Sequence, residues 1–231
     1  MKLNKLIAIA TISLLSGGIS MAQKALNLED IVAGNIIQTK GIGSMTWLKD
    51  GERYSRLENN KQTGGTDIVA YRAKDNSREV IIPSSLLTDK STGRPIPVRS
   101  VSWSADNEKV LIYNNTRRVW RYDTRGDYWV LNLKDGALRQ LGKGMPESSM
   151  MFAKFSPDGT RVAYVSNNNI YVEDIDSGKI TQLTKDGSDT IVNGTFDWVY
   201  EEEFSCRDGF RWSPDGKHIA YWQSDTKGTG V

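Results

Sequence analysis

Phe155-Ser156-Pro157-Asp158-Gly159 and Trp212-Ser213-Pro214-Asp215-Gly216 are two copies of one turn, and weaker copies precede them at Trp47-Leu48-Lys49-Asp50-Gly51 and Trp103-Ser104-Ala105-Asp106-Asn107. The four copies start 56, 52 and 57 residues apart. Periods near 50 mark propeller blades or arrays. In each unit the aromatic residue ends a short strand, proline presets the turn, and glycine accepts the positive φ that closes it. The second copy replaces proline and glycine with Ala105 and Asn107, a weaker but workable turn.

Apolar strands follow the later turns at residues 110–113, 162–165 and 219–222. A second hairpin is legible in 170–174 and 180–183 around Asp176-Ser177-Gly178-Lys179, and another in 128–133 and 137–141 around Lys134-Asp135-Gly136. Four short strands per unit is the β-propeller pattern, although sandwiches also space many short strands evenly. The fold expected is all-β: about three four-stranded blades over 44–82, 100–142 and 152–187, a helical or loop insertion over 188–208, and the start of a fourth blade over 209–231. Propellers typically close with four to eight blades, and fewer leave long β edges unpaired. The expectation is therefore an incomplete N-terminal propeller domain over 44–231, either a truncated product or part of a longer protein.

Residues 1–22 read as a secretory signal peptide: Lys2 and Lys5, an apolar run over 6–15, then Ser20-Met21-Ala22 with small residues at the cleavage positions. The run is too short to span a bilayer, and no later one approaches that length. The chain is expected to be exported, to the periplasm or the cell exterior, with no membrane span after cleavage. Residues 23–43 form a lead-in with a short helix that Asn27 caps and Gly34 ends.

Cleavage after Ala22 would leave 28 basic and 28 acidic residues from the original 30 and 28. A neutral chain without a basic run argues against a nucleic-acid partner, since counterion release needs clustered Lys and Arg. Cys206 is the single cysteine and cannot close a disulfide within the chain. A half-buried structural role fits it better than a reactive thiol, because no histidine neighbours it. His218, the single histidine, falls in the strand 217–222, and no metal site or cofactor is expected.

Glu201-Glu202-Glu203 follow Asp197-Trp198-Val199-Tyr200 inside the insertion. Adjacent carboxylates packed beside aromatics need a nearby cation or the protonation of one member. A charge run is also an ordinary solvated turn, and residue type alone leaves both readings open. Trp198 and Tyr200 likewise read as packing anchors or as substrate contacts, and Arg121, among Arg117, Arg118 and Arg125, as a solvated loop residue or a ligand.

Asp197-Trp198-Val199-Tyr200-Glu201-Glu202-Glu203 followed by Trp212-Ser213-Pro214-Asp215-Gly216, together with Leu28-Glu29-Asp30-Ile31 and Val119-Trp120-Arg121-Tyr122, resembles the dipeptidyl peptidase IV family of serine peptidases, in the prolyl oligopeptidase clan. The resemblance spans nearly the whole mature chain and implies an eight-bladed propeller in the intact protein. It implies that Glu202 and Glu203 bind the free N-terminal ammonium of a peptide substrate and that Arg121 engages the substrate carbonyl and bridges to the glutamates. Glu201, Trp198 and Tyr200 would support them. It further implies release of N-terminal X-Pro or X-Ala dipeptides, a C-terminal α/β-hydrolase domain as the partner, and homodimers of the intact protein.

That hydrolase domain would carry a Gly-x-Ser-x-Gly nucleophile elbow, and no such pentapeptide occurs here. No catalytic residue is assigned, and the chain alone is expected to be inactive. The alternative function is a noncatalytic periplasmic propeller resembling TolB-type repeats, used for protein contacts, since fold alone does not define function.

Overall fold

The computed structural model describes residues 27–32, 41 and 43–229. The expected signal peptide lies outside the described residues, as does most of the 23–43 lead-in. The chain divides into two compact units, 1–42 and 43–231. The first contributes one described helix, α1 (Leu28–Val32).

The second unit is built of antiparallel sheets. Strands β1 (Thr46–Trp47), β2 (Arg53–Asn59), β3 (Thr66–Arg72) and β4 (Arg78–Ile82) form the first four-stranded blade in sequence order. A small hairpin, β5 (Thr88–Asp89) and β6 (Arg94–Pro95), leads to the second blade: β7 (Ser100–Trp103), β8 (Lys109–Arg117), β9 (Arg125–Asn132) and β10 (Leu138–Gln140). The third blade is β11 (Met151–Phe155), β12 (Arg161–Ser166), β13 (Asn169–Asp174) and β14 (Ile180–Gln182). Beyond it lie β15 (Ile191–Asn193), helix α2 (Trp198–Phe204), the hairpin β16 (Phe210–Trp212) with β17 (Ile219–Tyr221), and β18 (Gln223–Asp225). The expected three blades, helical insertion and opening fourth hairpin are all present.

Three of the four repeated turns, those with serine after the aromatic residue, share one hydrogen-bond scheme. Ser156 Oγ donates to Asp158 Oδ1 at 2.5 Å and accepts the Arg161 N–H at 3.0 Å, while the Thr160 N–H reaches the same carboxylate at 3.0 Å. The Ser104–Asp106 and Ser213–Asp215 turns repeat it, with Ser–Asp distances of 2.5 and 2.6 Å. Gly51, Gly159 and Gly216 have φ of 69°, 67° and 67°, and Asn107 holds the equivalent place at 59°. Asparagine enters the left-handed region more readily than most residues, so the degenerate copy closes like the others.

Three apolar clusters glue neighbouring blades. Ile68 and Ile82 of the first blade meet Val110, Ile112 and Leu131 of the second. Leu111, Tyr128 and Val130 of the second meet Val162 and Tyr164 of the third. Met151, Ala163, Val165 and Ile170 of the third pack on Phe210. Each fully buried side chain of this size stabilises by roughly 1.5–3 kcal/mol. The turn tryptophans add polar stitches between blades: Trp103 Nε1 donates to Ser55 Oγ at 3.4 Å and Trp212 Nε1 to the Lys154 carbonyl at 3.3 Å.

Two features depart from the sequence reading. Strand β8 runs on through polar residues to Arg117, where it pairs with Arg125 after an irregularity at Asn114, so β8 and β9 extend as an arm beyond the sheet. The insertion is also more than an interruption, because its strand β15 pairs with β18 in register Ile191↔Asp225, Val192↔Ser224 and Asn193↔Gln223. This two-stranded sheet ties the start of the insertion to the end of the described chain.

Candidate functional site

Helix α2 exists because its ends are closed locally. Asp197 is the N-cap, and its carboxylate accepts the N–H groups of Val199 at 3.1 Å and Tyr200 at 3.2 Å. A cap of this kind contributes about 1 kcal/mol. Ser205 takes a left-handed conformation at φ 49° and ends the helix, while the Cys206 N–H returns to the Tyr200 carbonyl at 3.1 Å. Cys206 is half-buried, in keeping with a structural role.

Residues 198, 201 and 202 recur on one helical face, and the tip of the second-blade arm docks there. The Trp198 and Trp120 rings lie 6.4 Å apart. Glu201 Oε1 accepts the backbone N–H of Arg121 at 3.0 Å. The Arg121 guanidinium pairs with the Glu202 carboxylate. Two segments 80 positions apart are thus joined side by side through an aromatic pair, a main-chain hydrogen bond and an ion pair.

The three carboxylates have different surroundings. Glu201 has a fully buried side chain, and its second oxygen, Oε2, receives Arg207 Nη1 at 3.2 Å. A buried carboxylate persists as an anion only when paired and hydrogen-bonded, and Arg207 together with the Arg121 N–H supplies both. Glu202 is partly exposed against Arg121. Glu203 is exposed, and its carboxylate makes no hydrogen bond or ion pair among the described residues. Arg121 therefore engages Glu202 by its side chain and Glu201 by its backbone, and it does not bridge to Glu203.

Tyr200 stacks on Phe196 at 4.6 Å and approaches Phe204 at 5.6 Å, while Phe196 also meets Trp222 at 5.4 Å. Through Phe196, Tyr200 thus ties the helix to Trp222, the residue between β17 and β18. At the insertion's other end Lys154 Nζ donates to Asp208 Oδ1 at 2.5 Å and to the Phe210 carbonyl at 2.9 Å, lying 3.6 Å from the Phe210 ring centroid. Burial holds the Lys154 ammonium down at about 8 against the pull of Asp208.

Arg207 is the site residue that sequence reasoning misses. Its one signal is position: a cation close behind an acidic run in a chain with few basic residues nearby. Among the described residues there is no group of three or more His, Cys, Asp or Glu side chains arranged to hold a metal ion.

Four-stranded antiparallel blades packed side by side, with a helix-borne acidic run clasped by the arm of the second blade, are the architecture of part of a β-propeller. Residues 104–231 match the family described as the dipeptidyl peptidase IV (DPP IV) N-terminal region, more than half of the chain, and the chain belongs to that family. It is 36% identical over 129 residues to a probable dipeptidyl-aminopeptidase B of Chaetomium globosum, covering 55% of this chain and 14% of the relative. A second probable dipeptidyl-aminopeptidase B, from Aspergillus terreus, is 28% identical over 220 residues, 91% of this chain and 24% of the relative. Among solved structures, Porphyromonas gingivalis dipeptidyl peptidase 4 superposes with a TM-score of 0.70 at 26% identity, over 87% of this chain and 28% of that one. The chain spans about a quarter or less of the length of these curated relatives.

Proposed function

We propose that this region anchors the free N-terminus of a peptide for an exported dipeptidyl aminopeptidase, with Glu202 and Glu203 receiving the substrate ammonium and Arg121 holding Glu202 in place. The observation that carries this reading is the Arg121–Glu202 ion pair beside an unengaged Glu203. Glu201 and Arg207 neutralise each other, so Glu202, Glu203 and Arg121 are left with one net negative charge. A single ammonium completes the balance.

An ammonium about 4 Å from a carboxylate gains roughly 4 kcal/mol at an effective dielectric near 20, before desolvation is subtracted. An N-blocked peptide brings no cation and gains none of it. Recognition of the free end measures the substrate from its first residue, and a nucleophile at a fixed distance then cuts two residues in by positioning alone. The hydrolase domain that supplies this nucleophile belongs to the same proposal, as do the release of X-Pro or X-Ala dipeptides and a periplasmic or extracellular location.

Calorimetric titration of the full chain with Gly-Pro-Ala and its N-acetyl analogue tests the reading. The free-amine peptide is expected to bind at least tenfold more tightly, and Glu202→Gln to remove most of that margin. Equal binding of the two peptides by the unmodified chain would defeat it.

A further inference from the structure

Arg207 sits in the segment that closes the insertion, and its backbone is clamped from both sides. Its carbonyl accepts the Phe196 N–H at 2.9 Å and Thr195 Oγ1 at 3.1 Å, and the adjacent Asp208 receives Lys154 at 2.5 Å. From this fixed root the guanidinium reaches Glu201 Oε2 at 3.2 Å, with the arginine side chain 19% exposed and the glutamate side chain fully buried. The other oxygen of the same carboxylate holds the Arg121 N–H at 3.0 Å. Arg121 in turn pairs with Glu202. The contacts form one series: Arg207, Glu201, Arg121, Glu202.

The charges along it matter as much as the distances. Without Arg207, the buried Glu201 carboxylate would lack its counter-ion and lie one residue from Glu202, with Arg121 as the nearest cation for both. Arg121 cannot serve two anions with equal strength, and the geometry that leaves Glu202 facing outward beside it would be lost.

We propose that Arg207 is a positioning residue for the amine site, neutralising Glu201 and fixing its carboxylate against the Arg121 backbone so that the Arg121 side chain is reserved for Glu202. This rests on the proposed amine-anchoring role. Arg207 touches no substrate in this scheme; it acts through Glu201.

The readout is the ratio of affinities for Gly-Pro-Ala and N-acetyl-Gly-Pro-Ala, measured calorimetrically on the full chain, because a general loosening of the fold weakens both peptides alike. Arg207→Gln is expected to lower this ratio about tenfold, the effect of disturbing one buried charged partner. Glu201→Gln, which leaves Arg207 unneutralised and removes the net negative charge, is expected to lower it as well. The double variant Glu201→Gln/Arg207→Gln restores the charge balance and should return the ratio to within about threefold of the original, a coupling that only a double-mutant cycle exposes. If Arg207→Gln does not fold, the comparison of Glu201→Gln with the double variant still decides. Equal ratios in those two proteins, or an unchanged ratio in Arg207→Gln, would overturn the positioning role. Absence of any amine preference in the unmodified chain would instead overturn the anchoring role beneath it.

Discussion

The backbone N–H of Arg121 donates to Glu201 Oε1 at 3.0 Å, so the arm is fastened to helix α2 by a bond that does not depend on the arginine side chain. Fastening and charge are divided between two acids. Glu201 is buried and holds the arm; Glu202 is partly exposed and faces the guanidinium.

That division predicts effects of very different size for two alanine variants. Arg121→Ala removes a half-exposed ion pair of the kind worth about 0–1 kcal/mol and keeps the main-chain bond, so denaturant unfolding should shift little. Glu201→Ala strands the mostly buried Arg207, a loss of roughly 3–5 kcal/mol. Similar unfolding midpoints for the two variants would contradict the assignment.

Gly126 lies at the root of the arm and exchanges backbone hydrogen bonds with Met150, Gly126 N to Met150 O at 3.0 Å and Met150 N to Gly126 O at 3.1 Å. A Cβ there would sit 2.3 Å from Tyr113 Cε2 and 2.6 Å from the Asn114 carbonyl. Gly126→Ala should therefore cost roughly 1–3 kcal/mol by overpacking and displace the arm that carries Arg121. Chemical denaturation and the amine preference should both respond, and an unchanged amine preference in Gly126→Ala would contradict the arm's role in placing Arg121.

The interface of the third blade with β16 predicts a pH dependence. Lys154 is held down to about 8 by burial, below its ordinary 10.5. Between these values the unfolded chain binds the proton that the folded chain has released, so this group's contribution to stability rises as pH increases from about 8 to about 10.5. Below pH 8 both states are protonated and the contribution is flat at its low value. The stability of the unmodified chain relative to Lys154→Met should climb across that window in equilibrium denaturation. A flat difference would show that Lys154 titrates normally.

The blade framework is legible in the sequence because its information is local. A Ser-x-Asp-Gly turn carries its own hydrogen bonds and its own positive-φ residue, and Asn107 at φ 59° shows the rule surviving a poor copy. The arm is not legible, since Asn114-Asn115-Thr116-Arg117 has no apolar alternation and is held by polar contacts such as Asn115 Nδ2 to Asp127 Oδ2 at 2.7 Å. Nor is β15–β18, three residues on each side joined across 30 to 34 positions. For the site, Glu202 and Arg121 come together across 81 positions, which residue type cannot show and only the family resemblance suggests. Arg207 escapes even that, because its role is defined by the burial of Glu201, a tertiary property.

Structure determination of the full chain with Gly-Pro-Ala bound tests the central claim most directly. The account predicts the peptide amine nitrogen about 3 Å from carboxylate oxygens of both Glu202 and Glu203, with Glu203 turned inward to meet it and the Arg121–Glu202 pair retained. A bound peptide whose amine points to solvent, with Glu203 left as it is, would contradict it.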